Sequence, residues 1–262
     1  MLTPNLLHLK EMQPDPALLF PNPPLESLST TFGQVSLQHG LALKFPRQIT
    51  PFAALLKNSA AALSDLHSLL EPGESTYIVS FEAPPTIPGI TTSRPYPVRQ
   101  FEWPATAPIP PISDSLTIEP LTCAHAQEMV NLTDIAFPGF FRIRTCEMGP
   151  YFGIRSSRGA GNSARGTGNN AGRLVAVCGE RMNIRRAEDT FREISGLCTH
   201  PEFRGRGYAP ALLAHMLQLH RAAGLRSYLH VASSNPTAIA LYERLGFIPR
   251  GEFPLYSVRR PA

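Results

Sequence analysis

Residues 193–209 read EISGLCTHPEFRGRGYA, and the run PALLAHMLQLHRAA follows directly. The opening Glu193–Thr199 is rich in branched residues and predicts a strand. In the run that follows, Ala209, Leu212, Leu213 and Met216 recur at helical spacing and give one apolar face. Pro210 falls in the first turn, where its missing N–H costs nothing, and Gly224 stands where a helix ends. Between strand and helix lie Arg204, Gly205, Arg206, Gly207 and Tyr208. A helix N-terminus leaves its first amides unpaired and carries partial positive charge. Glycines let backbone approach a phosphate, and arginines add charged donors. The tract holds neither the GxxxxGK[ST] of a phosphate-binding P-loop nor the GxGxxG of a dinucleotide fold. Taken alone, a tight strand–helix turn explains it equally well.

Outward from this stretch the rhythm continues. Ser227–Val231 predicts a strand. Asn235-Pro236 opens a helix that places Ala238, Leu241, Tyr242 and Leu245 on one stripe and stops at Gly246. Phe247–Phe253 predicts a closing strand. Upstream, Leu116–Glu119 predicts a strand and Ala124–Ala136 a helix capped by Thr122. Tyr151–Ile154 and Leu174–Glu180 predict a hairpin. Its connection, residues 155–172, holds five glycines, three arginines and no acid, which marks a flexible inserted loop. Three arginines are too few to argue for nucleic acid. Strands alternating with helices imply an α/β layer with crossover connections.

The first part of the chain differs. The 27 prolines lie mostly before residue 112. Residues 83–114 hold so many that we expect a Pro-rich linker, unsuited to a helix or a central strand. Residues 1–82 are poorly signalled. Phe52–Leu70 predicts a helix stopped by Pro72-Gly73, and Thr76–Phe81 a strand, so a small N-terminal lobe is expected. Residues 1–114 carry a net charge of −3 and residues 115–262 a net of +7, so an anionic ligand would prefer the second part. No apolar run approaches the ~20 residues of a membrane helix, and no signal peptide is visible. The four cysteines, Cys123, Cys146, Cys178 and Cys198, form no CxxC. That argues against zinc or a dense disulfide framework, and a cytoplasmic location is expected.

Two separated motifs, in order and suitably spaced, make residues 115–262 resemble the GNAT superfamily of N-acetyltransferases. The pyrophosphate loop [QR]-x-x-G-x-[GA] matches at Arg204, Gly207 and Ala209. The pattern N-x-x-A-x-x-x-Y-x-x-x-G-F matches at Asn235, Ala238, Tyr242, Gly246 and Phe247, and L-x-V-x-P is matched by Leu197, Thr199 and Pro201. The text ERM…EISGLCTHPEFRGRGYA…LHV is similar to the branch that includes glycine N-acyltransferase-like proteins. The resemblance implies an α/β fold whose mixed sheet splays between its fourth and fifth strands. Acetyl-CoA, the acyl donor, would lie in the gap. Its pantetheine arm would pair with the backbone of Leu197, Cys198 and Thr199. Its pyrophosphate would rest on Arg204, Gly205, Arg206, Gly207, Tyr208 and Ala209, with Asn235 contacting the pantetheine. No metal is implied.

Acyl transfer to an amine needs a proton removed from an ammonium, whose pKa is near ~10.4 when lysine-like. It also needs the amine held close to the carbonyl and a donor for the departing thiolate. The resemblance assigns that donor to Tyr242, seven residues after Asn235 on the same helical face. Two residues compete as base. Glu193 matches the catalytic glutamate of histone-modifying members and shares a strand face with Ser195 and Leu197, unless Gly196 marks a bulge. His230 stands where ribosomal-protein-modifying members carry glutamate, and histidine titrates near neutrality. An ordinary polar strand residue, or a base acting through water, explains either position as well. Cys198 is expected to be small and buried. The acceptor, an amine-bearing small molecule or peptide, would be chosen by the segment 137–148, the loop before Ser227 and the first lobe. Phe140, Phe141 and Arg142 would line its pocket or form a core cluster. A catalytically silent acyl-CoA-binding module is the competing function, separated by thiol release in the presence of amines.

Overall fold

The computed structural model describes residues 14–156 and 172–262. In chain order the elements are α1 (Pro23–Ser29), β1 (Leu37–His39), β2 (Ala42–Lys44), β3 (Ala53–Leu55), α2 (Ala60–Leu69), β4 (Ser75–Val79), β5 (Thr91–Thr92), β6 (Tyr96–Glu102) and β7 (Glu119–Leu121). Then come α3 (Ala126–Thr133), β8 (Tyr151–Arg155), β9 (Leu174–Glu180), β10 (Ile184–Arg186), β11 (Asp189–Thr199), α4 (Tyr208–Ala222), β12 (Arg226–Ala232), α5 (Pro236–Leu245) and β13 (Ile248–Arg259). A small sheet runs β1-β2-β3. A ten-stranded sheet runs β4-β13-β6-β12-β11-β9-β8-β7, with β10 on β11 and β5 on β13. Most neighbours are antiparallel; β11 and β12 are parallel. The result is the mixed α/β sheet the sequence implied.

Helices cover both faces. In β9, Ala176 and Cys178 join the cluster of Leu212, Leu213 and Met216 from α4 and Ile239 from α5. Val177, pointing the other way, joins Met129 and Leu132 of α3. That alternation is the period of two that a strand buried on both faces requires. Several helix starts carry a side-chain cap the sequence supplies. Ser59 accepts from Ala62 N, and Asn235 accepts from Ala238 N. Thr122 caps the short 3-10 turn leading into α3, accepting from Ala124 N. Each satisfies an orphan amide of a first turn.

Three expectations need correction. Residues 83–114 are not simply a linker: β6 lies inside the large sheet, between β13 and β12. Its proline is tolerated for a geometric reason. Pro97 stands opposite Pro254 of β13. Their carbonyls turn outward and accept from Ser233 N and Ser80 N, just past the ends of β12 and β4. In an antiparallel strand a residue's N–H and C=O share one edge, so both missing N–H groups face the space just past the ends of β12 and β4, where they interrupt no ladder. The helix expected over Phe52–Leu70 begins only at Ala60, because Ser59 caps there, and Ala53–Leu55 is a strand. The strand expected at Leu116–Glu119 lies further on, at Glu119–Leu121. Cys123 and Cys146 form a disulfide, with Cα atoms 5.4 Å apart, while Cys178 and Cys198 are buried thiols. Most of the inserted loop, residues 157–171, lies outside the described residues. No described helix is long and apolar enough to cross a membrane.

Candidate active site

The parallel pairing of β11 and β12 is brief. It joins Phe191, Arg192 and Glu193 to Arg226, Ser227 and Tyr228, and stops there. Beyond Glu193, β11 holds only β9, through a register shift between Ser195 and Cys198. Gly196, with φ +68°, makes the bulge. A side chain there would be strained and would press a Cβ to 3.3 Å from the Tyr151 ring. The bulge breaks the alternation that would align Glu193, Ser195 and Leu197. Ile194, Ser195, Gly196 and Leu197 consequently line a cavity of about 500 Å³, whereas Glu193 does not.

Facing them across the split are Val231, Ala232, Asn235, Ala238 and Tyr242. The Tyr242 ring packs on Phe101 and Phe247, and its hydroxyl has no hydrogen-bond partner among the described residues. Burial pushes the phenol well above its usual value, so it stays protonated. Asn235 uses its side-chain oxygen on Ala238 N, which leaves its amide nitrogen available to a ligand. Cys198 points the other way. It is buried, its thiol donates to Leu132 O at 3.5 Å, and burial pushes it up to about 11, which suits packing and not attack. The Thr199 hydroxyl is buried without a partner.

Past the end of β11 the chain makes the glycine turn. Gly205 and Gly207 both hold φ +77°, and a Cβ at either would meet nothing within 4 Å. Conformation, not crowding, demands glycine here, and the space in front of the backbone is open. Gly207 is the N-cap of α4, whose first turn receives no side-chain cap. Arg206 lies over the Phe203 ring at 4.9 Å, and Arg204 Nε donates to Thr199 O at 3.4 Å. Tyr208 packs against the core cluster shared by α4, α5 and Leu197. This uncapped N-terminus, two arginines and the unpartnered Thr199 hydroxyl fit an elongated ligand with an anionic end.

Glu193 lies behind the cavity wall in a closed cluster. Its carboxylate accepts from Arg181 Nε at 3.3 Å, Arg181 Nη2 at 3.1 Å, Met182 N at 2.8 Å and His230 Nδ1 at 2.8 Å. Burial alone would raise this carboxyl. The Arg181 charge, with the His230 and Arg181 hydrogen bonds, outweighs burial and holds it at about 2. A carboxylate so deeply stabilised is a poor proton acceptor. His230 does line the cavity, but its nitrogens are both engaged. Gln100 on β6 accepts from Phe20 N and donates to Phe20 O, which fixes the orientation of its amide. The amide nitrogen then points at His230 Nε2 from 3.0 Å. The imidazole proton therefore sits on Nδ1, and Nε2 accepts.

The far wall joins Phe52, Tyr77, Tyr96 and Val98 from the first 100 residues to Phe137, Phe140, Arg181, Phe253 and Leu255. Phe140 stacks on Tyr77, centroids 4.8 Å apart at 18°. Phe141 instead packs against Tyr151 in the core, and Arg142 lines a separate cavity. The loop before Ser227 contributes no wall residue. Sequence reasoning missed Arg181 and Gln100. Arg181 carries no local signal. Gln100 does alternate with Val98 and Glu102 along one strand face, a pattern hidden by the surrounding prolines. A second buried chain, Ser227 Oγ–His220–Glu180–Asn183, ends on Glu193 N. It has the residue types of a hydrolytic triad, yet none of the four lines the cavity.

Comparisons with known proteins bear on the fold and the family. The model of the GNAT acetyltransferase family matches residues 132–247. A structure assigned to that family, from Novosphingobium aromaticivorans, is 30% identical with a TM-score of 0.72, covering 93% of this chain and 100% of its own. A GCN5-related N-acetyltransferase from Kribbella flavida shares the fold at 14% identity and a TM-score of 0.56, covering 91% of this chain and 96% of its own. A GCN5-related N-acetyltransferase-like protein from Streptococcus suis does so at 14% identity and 0.55, covering 90% of this chain and 93% of its own. No curated protein sequence gives a match.

Proposed function

Since the chain belongs to the GNAT family of acetyltransferases, we propose that it transfers an acetyl group from acetyl-CoA to an amine by direct attack. The observation that carries this reading is the split beyond Glu193. After Glu193, β11 parts from β12, and the gap opens on a cavity where the Tyr242 hydroxyl has no partner among the described residues. In this reading Leu197, Cys198 and Thr199 offer backbone to the pantetheine arm, and Thr199 adds its hydroxyl. The amides of residues 204–209, with Arg204 and Arg206, take the pyrophosphate. Asn235 gives its amide nitrogen to the same arm. Acetyl-CoA supplies an activated thioester carbonyl when bound.

Tyr242 donates a hydrogen bond to the departing sulfur. A thiol pKa of ~8.5 makes the thiolate a modest base, so a neutral phenol suffices as donor. Glu193 and His230 serve as positioning residues: together with Arg181 and Gln100 they fix the wall of β11 and β12 behind the reacting atoms. A kinship with glycine N-acyltransferase-like proteins is part of the proposal and rests on the quoted text alone. Calorimetric titration with acetyl-CoA, followed by thiol release with a panel of amines, tests the reading. Binding together with amine-dependent thiol release supports it. Binding without thiol release for any amine would favour a silent acyl-CoA-binding module.

A further inference from the structure

The wall of the cavity holds no aspartate or glutamate among the described residues. Its one permanently charged side chain is Arg181, which is positive. The other titratable groups facing the cavity are His230, Tyr77, Tyr96 and Tyr242. Burial raises Tyr77, Tyr96 and Tyr242, so these phenols are donors at neutral pH. His230 has its Nε2 lone pair on Gln100 and its Nδ1 proton on Glu193. Glu193 sits behind the wall with four donors on its two oxygens. No wall group therefore stands ready to take a proton from an alkylammonium, and none offers it a counter-charge.

Aromatic faces can hold a cation without a carboxylate. Here the best-placed faces are taken. The Arg181 guanidinium covers Phe52 at 4.8 Å, and Tyr77 and Phe140 cover one another. Glu193, the carboxylate behind the wall, is already paired with Arg181, so it has no charge left for a second cation. A flat apolar ring suits the same walls well. The cavity of about 500 Å³ is several times the ~150 Å³ that encloses benzene, which leaves room for an arene beside the acyl end of the donor.

We infer, on the strength of the acyl-transfer reading above, that the acceptor is an uncharged, weakly basic aromatic amine that enters without a proton to lose. The nitrogen lone pair forms the C–N bond at the thioester carbonyl. The C–S bond breaks, and its electron pair leaves with sulfur. The attacking nitrogen becomes strongly acidic once bonded to the carbonyl carbon, so its surplus proton passes to solvent water and the departing thiolate takes up one from solvent, giving an amide and the free thiol.

The experiment pairs acceptors of one shape and different basicity, 4-methylaniline and 4-methylbenzylamine, with acetyl-CoA and a thiol-release readout. We expect kcat/KM for the aniline to exceed that for the benzylamine at least tenfold at pH 7. Between about pH 6 and 9 the aniline profile should be flat. The benzylamine profile should rise about tenfold per pH unit, tracking its free-base fraction. A benzylamine turned over as well as the aniline at pH 7 overturns the inference. So does acetyl-CoA binding by calorimetry with transfer only to other, cationic amines or to none, and the acyl-CoA site then stands. Absence of acetyl-CoA binding removes both that site and this inference.

Discussion

Replacing Glu193 by glutamine removes one charge and almost no volume, and it tests the cluster behind the active-site wall. Each carboxylate oxygen now receives two donors: Oε1 those of Arg181 Nη2 and His230, Oε2 those of Arg181 Nε and Met182 N. In glutamine one of these oxygens becomes an NH₂, which faces two donors whichever way the amide turns. Arg181, with its side chain only 13% exposed, loses its counter-charge. Breaking a buried pair from one side costs about 3–5 kcal/mol. At about 2–4 °C per kcal/mol for a chain of this size class, Glu193→Gln should lower Tm by about 6–20 °C. Urea titration should show a lower midpoint with an unchanged slope. Adding Arg181→Met removes the stranded charge as well, so the double variant should recover at least about 2 kcal/mol over Glu193→Gln alone. A loss below about 1 kcal/mol for Glu193→Gln, or strict additivity in the double variant, would refute the account of a buried, mutually dependent pair.

Tyr242→Phe keeps the ring against Phe101 and Phe247 and deletes the hydroxyl; acetyl-CoA affinity should hold while kcat falls about 10²-fold under chemistry-limited turnover, and a wild-type rate would make Tyr242 a packing residue. Gly207→Glu puts strain of about 1–2 kcal/mol at φ +77° and a negative charge into open space, so calorimetry should find a folded protein without measurable acetyl-CoA binding. Undiminished affinity would displace the anion site. Glu193 is held below its unfolded value, so its contribution is present above about pH 4.5 and is lost as pH falls toward about 2. Equilibrium denaturation across that window should show a steep loss of stability, shallower in the Glu193→Gln variant. Cys146→Ser opens a crosslink spanning 23 residues and should lower stability by about 3 kcal/mol; an unchanged midpoint in oxidised and reduced samples would show that the bridge does not form.

What the sequence determined by itself was local or periodic. The turn at 204–209 needs glycine because a positive φ excludes other residues. Asn235, Thr122 and Gly246 mark helix ends through cap chemistry that acts within four residues. The apolar stripe of α4 and the placing of Tyr242 two turns from Asn235 follow from a period of 3.6. Gly196 left a bulge open, but only the register with β9 decided that the strand shifts between Ser195 and Cys198 and takes Leu197 off the face of Glu193, which its own partners hold behind the cavity. Tertiary structure alone decided the rest. Residues 96–102 enter the central sheet because Pro97 and Pro254 pair with their amide-less edges facing past the ends of β12 and β4, a pairing across more than 150 residues that no local pattern carries. The protonation roles of Glu193 and His230 depend on Arg181 and Gln100, brought in by the connection after β9, by β6 and by the backbone of Phe20. The aromatic wall joins Phe52 and Tyr77 to Phe140 and Phe253, and so makes the poorly signalled first lobe part of the chamber. Spacing along a helix or strand is written in sequence because the backbone repeats; the environment of a charge is a property of everything that folds around it.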